Sequence, residues 1–281
     1  MVDIDLSSAA LVPSSTGFMI TGDNTGDYLG LSVGTAGDVN NDGYDDIIVN
    51  APFKDSQQGR VYVIYGGPKS SLSDITTPST TLVAASTGFY IVGANTGDYF
   101  GQVARSAGDL NKDGYADIII GAPYYNSYQG AAYVIYGRTT SSMTNIDLAS
   151  TALSPASTGF MILGEAAGAY LGWSASGAGD MNGDGYSDVI VGAWNINTLK
   201  GTTYVVYGGE TSSMSDLDLA TVTLDPASTG FTITGDDGDG FGYSVNTAGD
   251  VNKDGYDDII IGSPFENSQQ GVAYVIHTGS F

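Results

Sequence analysis

The chain has 281 residues, with eight Lys or Arg against 31 Asp or Glu, so its formal net charge is −23. So few cations offer nothing that nucleic acid or an anionic membrane could hold. There is no Cys and a single His, which excludes a disulfide scaffold, thiolate metal sites and a Cys nucleophile, and leaves a Ser-His machine almost without raw material.

No apolar run approaches the roughly 18 residues that would span a bilayer. The opening Met1-Val2-Asp3-Ile4-Asp5 has neither the basic nor the apolar region of a signal peptide. The length suffices to bury a sizeable core.

One unit is written four times. Gly-Phe recurs at Gly17-Phe18, Gly88-Phe89, Gly159-Phe160 and Gly230-Phe231, always 71 residues on. Gly-Asp recurs at Gly37-Asp38, Gly108-Asp109, Gly179-Asp180 and Gly249-Asp250, the last step being 70. This predicts a single domain over residues 1–281, in four repeats near 1–71, 72–142, 143–213 and 214–281.

Within the second repeat the predicted elements follow in order. Gly88–Gly93 alternates between glycines, Tyr99–Ser106 is rich in small residues, Asp117–Gly121 is an apolar run, and Ala131–Tyr136 closes the set. Short β-rich runs cut by Gly, Pro, Asn and Asp are strands. No window has convincing helical periodicity; Asp147–Ala152 comes nearest. Four strands per unit at long period predict an all-β fold, a β-propeller of four four-stranded antiparallel blades.

Between the second and third strands every unit carries D-x-N-x-D-G-x-x-D. The oxygen donors are Asp38, Asn40, Asp42 and Asp46, then Asp109, Asn111, Asp113 and Asp117, then Asp180, Asn182, Asp184 and Asp188, then Asp250, Asn252, Asp254 and Asp258. The residue after the glycine, Tyr44, Tyr115, Tyr186 or Tyr256, can add a main-chain carbonyl. Three carboxylates, an amide oxygen and a carbonyl form a hard oxygen cage suited to Ca²⁺, one ion per repeat and four in all. An EF-hand is excluded, because position 12 is Val49, Ile120, Val191 or Ile261 rather than Glu. Repulsion among unneutralised carboxylates predicts that removing the ion lowers the melting temperature.

These loops, with Phe100-Gly101 and Phe241-Gly242, and Gly121-Ala122-Pro123 with its variants Asn50-Ala51-Pro52, Gly192-Ala193-Trp194 and Gly262-Ser263-Pro264, resemble the FG-GAP repeats of the integrin α-subunit β-propeller and its bacterial and protist relatives. The resemblance covers essentially the whole chain. It implies that the ions staple the hairpin joining the two inner strands of each blade. It also implies that the Gly17-Phe18 strand is an outer strand, able to complete the last blade and close the ring. Integrin propellers have seven blades. Four repeats therefore fit a closed ring, part of a larger one, or half of an eight-bladed dimer.

The resemblance further places the loops after the third strands on the face opposite the calcium loops, where relatives bind ligands. That makes Phe53, Tyr124, Tyr125, Trp194 and Phe265 candidate ligand contacts, for a protein or a sugar. Gly30-Leu31-Ser32-Val33-Gly34 matches a hydrolase elbow, but other repeats place inner-strand residues there, and His277 stands where Tyr65, Tyr136 and Tyr207 stand elsewhere. Both read as structural, and no catalytic residue is assigned. The reading is a non-enzymatic, calcium-binding, extracellular or cell-surface propeller for adhesion or protein–protein assembly. The alternatives are a repeating subunit of a surface fibre or layer, and a lectin.

Overall fold

The computed structural model describes residues 11–12, 15–77 and 82–279. Its strands, in chain order, are β1 (Ile20–Thr21), β2 (Val33–Gly37), β3 (Asp46–Ala51), β4 (Arg60–Ile64), β5 (Ile75–Thr76), β6 (Gly88–Val92), β7 (Val103–Gly108), β8 (Asp117–Ala122), β9 (Ala131–Ile135) and β10 (Ile146–Asp147). The second half adds β11 (Gly159–Leu163), β12 (Ser174–Gly179), β13 (Asp188–Ala193), β14 (Thr202–Val206), β15 (Leu217–Asp218), β16 (Gly230–Thr234), β17 (Ser244–Gly249), β18 (Asp258–Ser263) and β19 (Val272–Ile276). The loops after β3, β8, β13 and β18 each hold a single turn, at Lys54–Gln57, Tyr125–Tyr128, Ile196–Leu199 and Glu266–Gln269.

The sheets are antiparallel blades, and each borrows from the following repeat. The first blade runs β2-β3-β4-β6, the second β7-β8-β9-β11, and the third β12-β13-β14-β16. In each, the Gly-Phe strand of the next repeat is the outermost of the four. The short β10 and β15 add in parallel to β6 and β11, in the register Ile146↔Ile91 and Leu217↔Ile162. These two-residue additions have no sequence signature; Asp147 lies in one and then caps a turn, accepting the N–H of Ala149 at 3.0 Å.

The predicted second strand starts later than Tyr99. Tyr99 is left-handed (φ 53°) and accepts the Gln102 N–H at 3.0 Å, so a turn precedes β7. The fourth blade, β17-β18-β19, has three strands among the described residues, and β1 pairs with β5 alone, in parallel. Among the described residues the N-terminal strand thus does not pair with the last blade, and closure of the ring, one of the arrangements open to four repeats, is not seen.

Side chains alternate across each strand, yet both faces are apolar because blades stack face to face. In the first blade Ile48 and Val63 face forward and pack with Ile118, Ile120 and Ile135 of the second. Ile119 and Val134 meet Val189, Val191 and Val206 of the third, whose Ile190 and Val205 meet Ile259 and Ile261 of the fourth. Each fully buried Ile or Val contributes about 2 kcal/mol relative to an exposed one. The four inner strands line one central cleft of about 840 Å³, walled by small residues such as Gly34, Ser106, Gly177 and Thr247.

Candidate functional site

The four Asp-rich loops join the two inner strands of each blade, so all four lie at one end of the stack. Their conformation is shared. In the second loop, Asp109 accepts the N–H of Asp113 (3.0 Å) and of Gly114 (2.9 Å), and Asp113 accepts that of Tyr115 (3.0 Å). The same three bonds form on Asp38 and Asp42, on Asp180 and Asp184, and on Asp250 and Asp254. Position 4 is left-handed in every loop, at Asn41 (φ 56°), Lys112 (60°), Gly183 (76°) and Lys253 (62°). The glycine at position 6 is left-handed too, at Gly43 (φ 89°), Gly114 (89°), Gly185 (85°) and Gly255 (95°).

The ninth position does more than a ligand would. Asp46, Asp117, Asp188 and Asp258 are fully buried. Each ties its loop shut and to the strand that follows: Asp117 accepts the N–H of Leu110 at 2.8 Å and of Gly137 at 2.9 Å. Asp46 does the same with Val39 and Gly66, and Asp188 with Met181 and Gly208. Burial, opposed by these N–H groups and reinforced by the other two loop carboxylates, pushes Asp46 up to about 6, Asp117 to about 8 and Asp188 to about 7. In the fourth blade burial acts the same way, but Thr278 N–H, His277 and Val251 N–H outweigh it, and Asp258 is lowered. His277 Nδ1 lies 3.2 Å from Asp258 Oδ2, which is where the one histidine is used. Ser32 lies near Arg105, not near a histidine.

Among the described residues no three Asp, Glu or His side chains are gathered closely enough to hold a metal ion as they stand. The donor set nevertheless fits a hard cation. The loop is folded around N–H groups that leave carboxylate lone pairs free, and the ninth Asp is a buried carboxylate with like charges beside it. The Asn40 amide is also buried, with neither its oxygen nor its nitrogen partnered. The predicted donors Asn111, Asn182 and Asn252 instead bond within their loops, to Asp113 or Asp184 or Asp254.

At the opposite end, aromatic rings form an unbroken belt across all four blades. Tyr28 meets Phe53 at 4.8 Å between ring centroids, Phe53 meets Tyr99 at 5.1 Å, Tyr99 meets Tyr124 at 4.4 Å, and Tyr124 meets Tyr170 at 5.5 Å. Tyr170 then meets Trp194 at 5.7 Å, Trp194 meets Tyr243 at 5.5 Å, and Tyr243 meets Phe265 at 5.8 Å. Trp173 and Tyr128 flank the belt. Four of the five predicted ligand contacts, Phe53, Tyr124, Trp194 and Phe265, are therefore in it. Tyr125 is not; it packs against the outer side of its own blade, beside Leu148 and Leu153.

Sequence reasoning missed four rings of the belt, Tyr28, Tyr99, Tyr170 and Tyr243, and the first three share one repeat register. These three are left-handed, at φ 53°, 53° and 57°, which aims them across the seam between blades. Beneath the belt, Lys54 is buried between Asp23 and Asp27, with Nζ 2.8 Å from each.

Comparison with known proteins agrees with this geometry. The model of the FG-GAP repeat matches residues 29–64, 106–135, 171–205 and 241–276. The chain is 33% identical over 207 residues to integrin alpha pat-2 of Caenorhabditis elegans, covering 68% of this chain and 16% of that one. It is 31% identical over 195 residues to integrin alpha-V of Gallus gallus, covering 66% and 16%. It is also 30% identical over 190 residues to a phosphatidylinositol-glycan-specific phospholipase D of Bos taurus, covering 63% and 20%. The match thus spans a fifth or less of each of these relatives, and one of them carries the name of an enzyme.

Proposed function

The chain belongs to the FG-GAP repeat family, and from that premise we propose that it is a non-enzymatic, calcium-binding, extracellular propeller that acts in adhesion by holding a protein partner on its aromatic face. The observation that carries this reading is the belt. Half-buried aromatic rings supply large contact area at low entropic cost, and here they run continuously over four blades rather than sitting one per blade. Integrin α chains among the relatives favour a surface role. No helix among the described residues is long and apolar enough to cross a membrane.

Calcium belongs to the other end. Asp38, Asn40, Asp42, Asp46 and the Tyr44 carbonyl would hold the first ion, and the equivalent residues the other three. When bound, Ca²⁺ supplies two positive charges to each loop. The loop residues themselves hold the turn and fix the hairpin, so the ion stiffens the blade and performs no reaction.

The test is attachment of cells to a surface coated with this chain. Expected is attachment that Tyr124→Ala and Trp194→Ala weaken by about tenfold, while the melting temperature gained with calcium is retained. Attachment indifferent to both substitutions would remove the belt from the reading. A melting temperature identical with calcium and with chelator would remove the ion. A sugar ligand would appear as attachment competed by free glycan.

A further inference from the structure

We infer that the forward face of the fourth blade is a docking surface for a second copy of this chain, which presents its first blade and β1. The inference needs neither the calcium nor the adhesion reading.

Three apolar side chains on that face are exposed: Val251 (52%), Ile260 (37%) and Val275 (46%). In the other blades the same positions are covered. Val251 corresponds to Val39, Leu110 and Met181, none more than 2% exposed. Ile260 corresponds to Ile48, Ile119 and Ile190, and Val275 to Val63, Val134 and Val205, all at 0%. The fourth blade thus keeps the apolar chemistry of a stacked face, and among the described residues nothing covers it.

The polar seam between blades stops at the same place. The carbonyl at the first loop position accepts an N–H from the next loop: Ala116 to Asp38 at 3.0 Å, Ser187 to Asp109 at 3.1 Å, and Asp257 to Asp180 at 3.3 Å. The carbonyl one residue on accepts a second, from Arg138 to Val39 at 2.9 Å and from Gly209 to Leu110 at 2.8 Å. The carbonyl of Asp250 has no such partner among the described residues, and neither has its counterpart donor, the N–H of Asp45 in the first blade. A Cβ on Gly37, Gly108 or Gly179 would strike Ala116, Ser187 or Asp257 of the next loop, whereas one on Gly249 would meet open space.

The opposite end of the molecule supplies what is missing. β1 is the equivalent of β6, β11 and β16, each of which pairs antiparallel with the last strand of a blade. It pairs only with β5. Phe18, Ile20 and Leu29 already pack on the back of the first blade, as outer-strand residues do elsewhere. On the same blade Val33, inner-strand equivalent of the buried Ala104, stands 58% exposed. Setting β1 of one copy beside β19 of another would give the fourth blade its outermost strand, bring the Asp45 N–H to the Asp250 carbonyl, and cover Ile260 and Val275 in one movement. This is a heterologous contact, so it builds either a closed two-copy ring or an open chain of copies.

Sedimentation of the 281-residue chain over a wide concentration range tests it. Expected is a dimer or longer species, and at least tenfold weaker association when Ile260→Asp and Val275→Asp are combined, with an unchanged circular dichroism spectrum. A second measurement does not rely on those residues. The chain has no cysteine, so Asp45→Cys with Asp250→Cys and a short bis-maleimide reports this contact alone. Links between chains are expected. A monomer at every concentration, or links only within one chain, or none, would overturn the inference.

Discussion

Asp117 accepts the N–H of Gly137 at 2.9 Å, from the far side of its own strand pair. One buried carboxylate thereby fixes both the loop before β8 and the chain after β9. Asp117→Ala should leave the Leu110 and Gly137 N–H groups buried without acceptors and cost about 2–4 kcal/mol. Asp113→Asn, on the exposed rim of the same loop, should leave the stability of the chelated protein within about 0.5 kcal/mol. Urea denaturation of both variants in chelator would show the contrast; equal losses would contradict it.

Acidity should act on the chelated protein in a defined direction. The carboxyls of Asp46, Asp117 and Asp188 rise from an ordinary 3.8 to about 6, 8 and 7 on folding. The folded chain then holds protons that the unfolded chain has lost. The stability from these groups is full below 3.8 and disappears as pH rises through 6 to 8. Calcium requires the deprotonated forms, so the increase in melting temperature on adding calcium should be larger at pH 8 than at pH 5. Calorimetry at the two pH values, with calcium and with chelator, checks this; an equal or reversed increase would refute it.

Lys54 should be costly to remove. It is 3% exposed and bonded to two carboxylates, and the other repeats place Tyr125, Ile196 and Glu266 at its position. Lys54→Ala leaves Asp23 and Asp27 facing each other and should destabilise by about 3 kcal/mol. Adding Asp27→Asn should recover part of that loss, as measured by chemical denaturation; no recovery would mean that packing, not charge, sets the cost.

Two left-handed glycines should behave differently. Gly97 (φ 88°) has open space where a Cβ would go, whereas a Cβ on Gly130 (φ 80°) would strike the backbone of Leu171 in the next blade. Gly97→Ala should cost about 1 kcal/mol, the strain of the conformation alone. Gly130→Ala should cost several times more, because two blades must separate. Melting temperatures of the pair decide the point.

Much of this architecture was legible in advance. The 71-residue step located the strands, because Ile118–Ile120 and its copies are too short and too apolar for anything but a covered strand. The Asp-rich loops were recognisable because a turn carrying three carboxylates at fixed spacing is rare without a role. What escaped depended on neighbours. β10 is only two residues long and exists because Ile91 lies beside Ile146. Tyr99 reads in the sequence as the first residue of a strand, since nothing local reveals that its backbone, like those of Tyr28 and Tyr170, is left-handed and turns the ring across a seam. The ninth Asp looked like a ligand only, because its second duty is to Gly66, Gly137, Gly208 or Thr278, about 20 residues away.

The borrowing of each outermost strand from the following repeat has a consequence for synthesis. When residues 33–64 leave the ribosome they hold three strands of the first blade, but the fourth, Gly88–Val92, has yet to be made. A blade can be finished only after the opening of the next repeat has emerged, so folding must trail translation by about 25 residues. A single repeat, expressed alone, would contain four strand sequences and yet be unable to assemble one blade of its own.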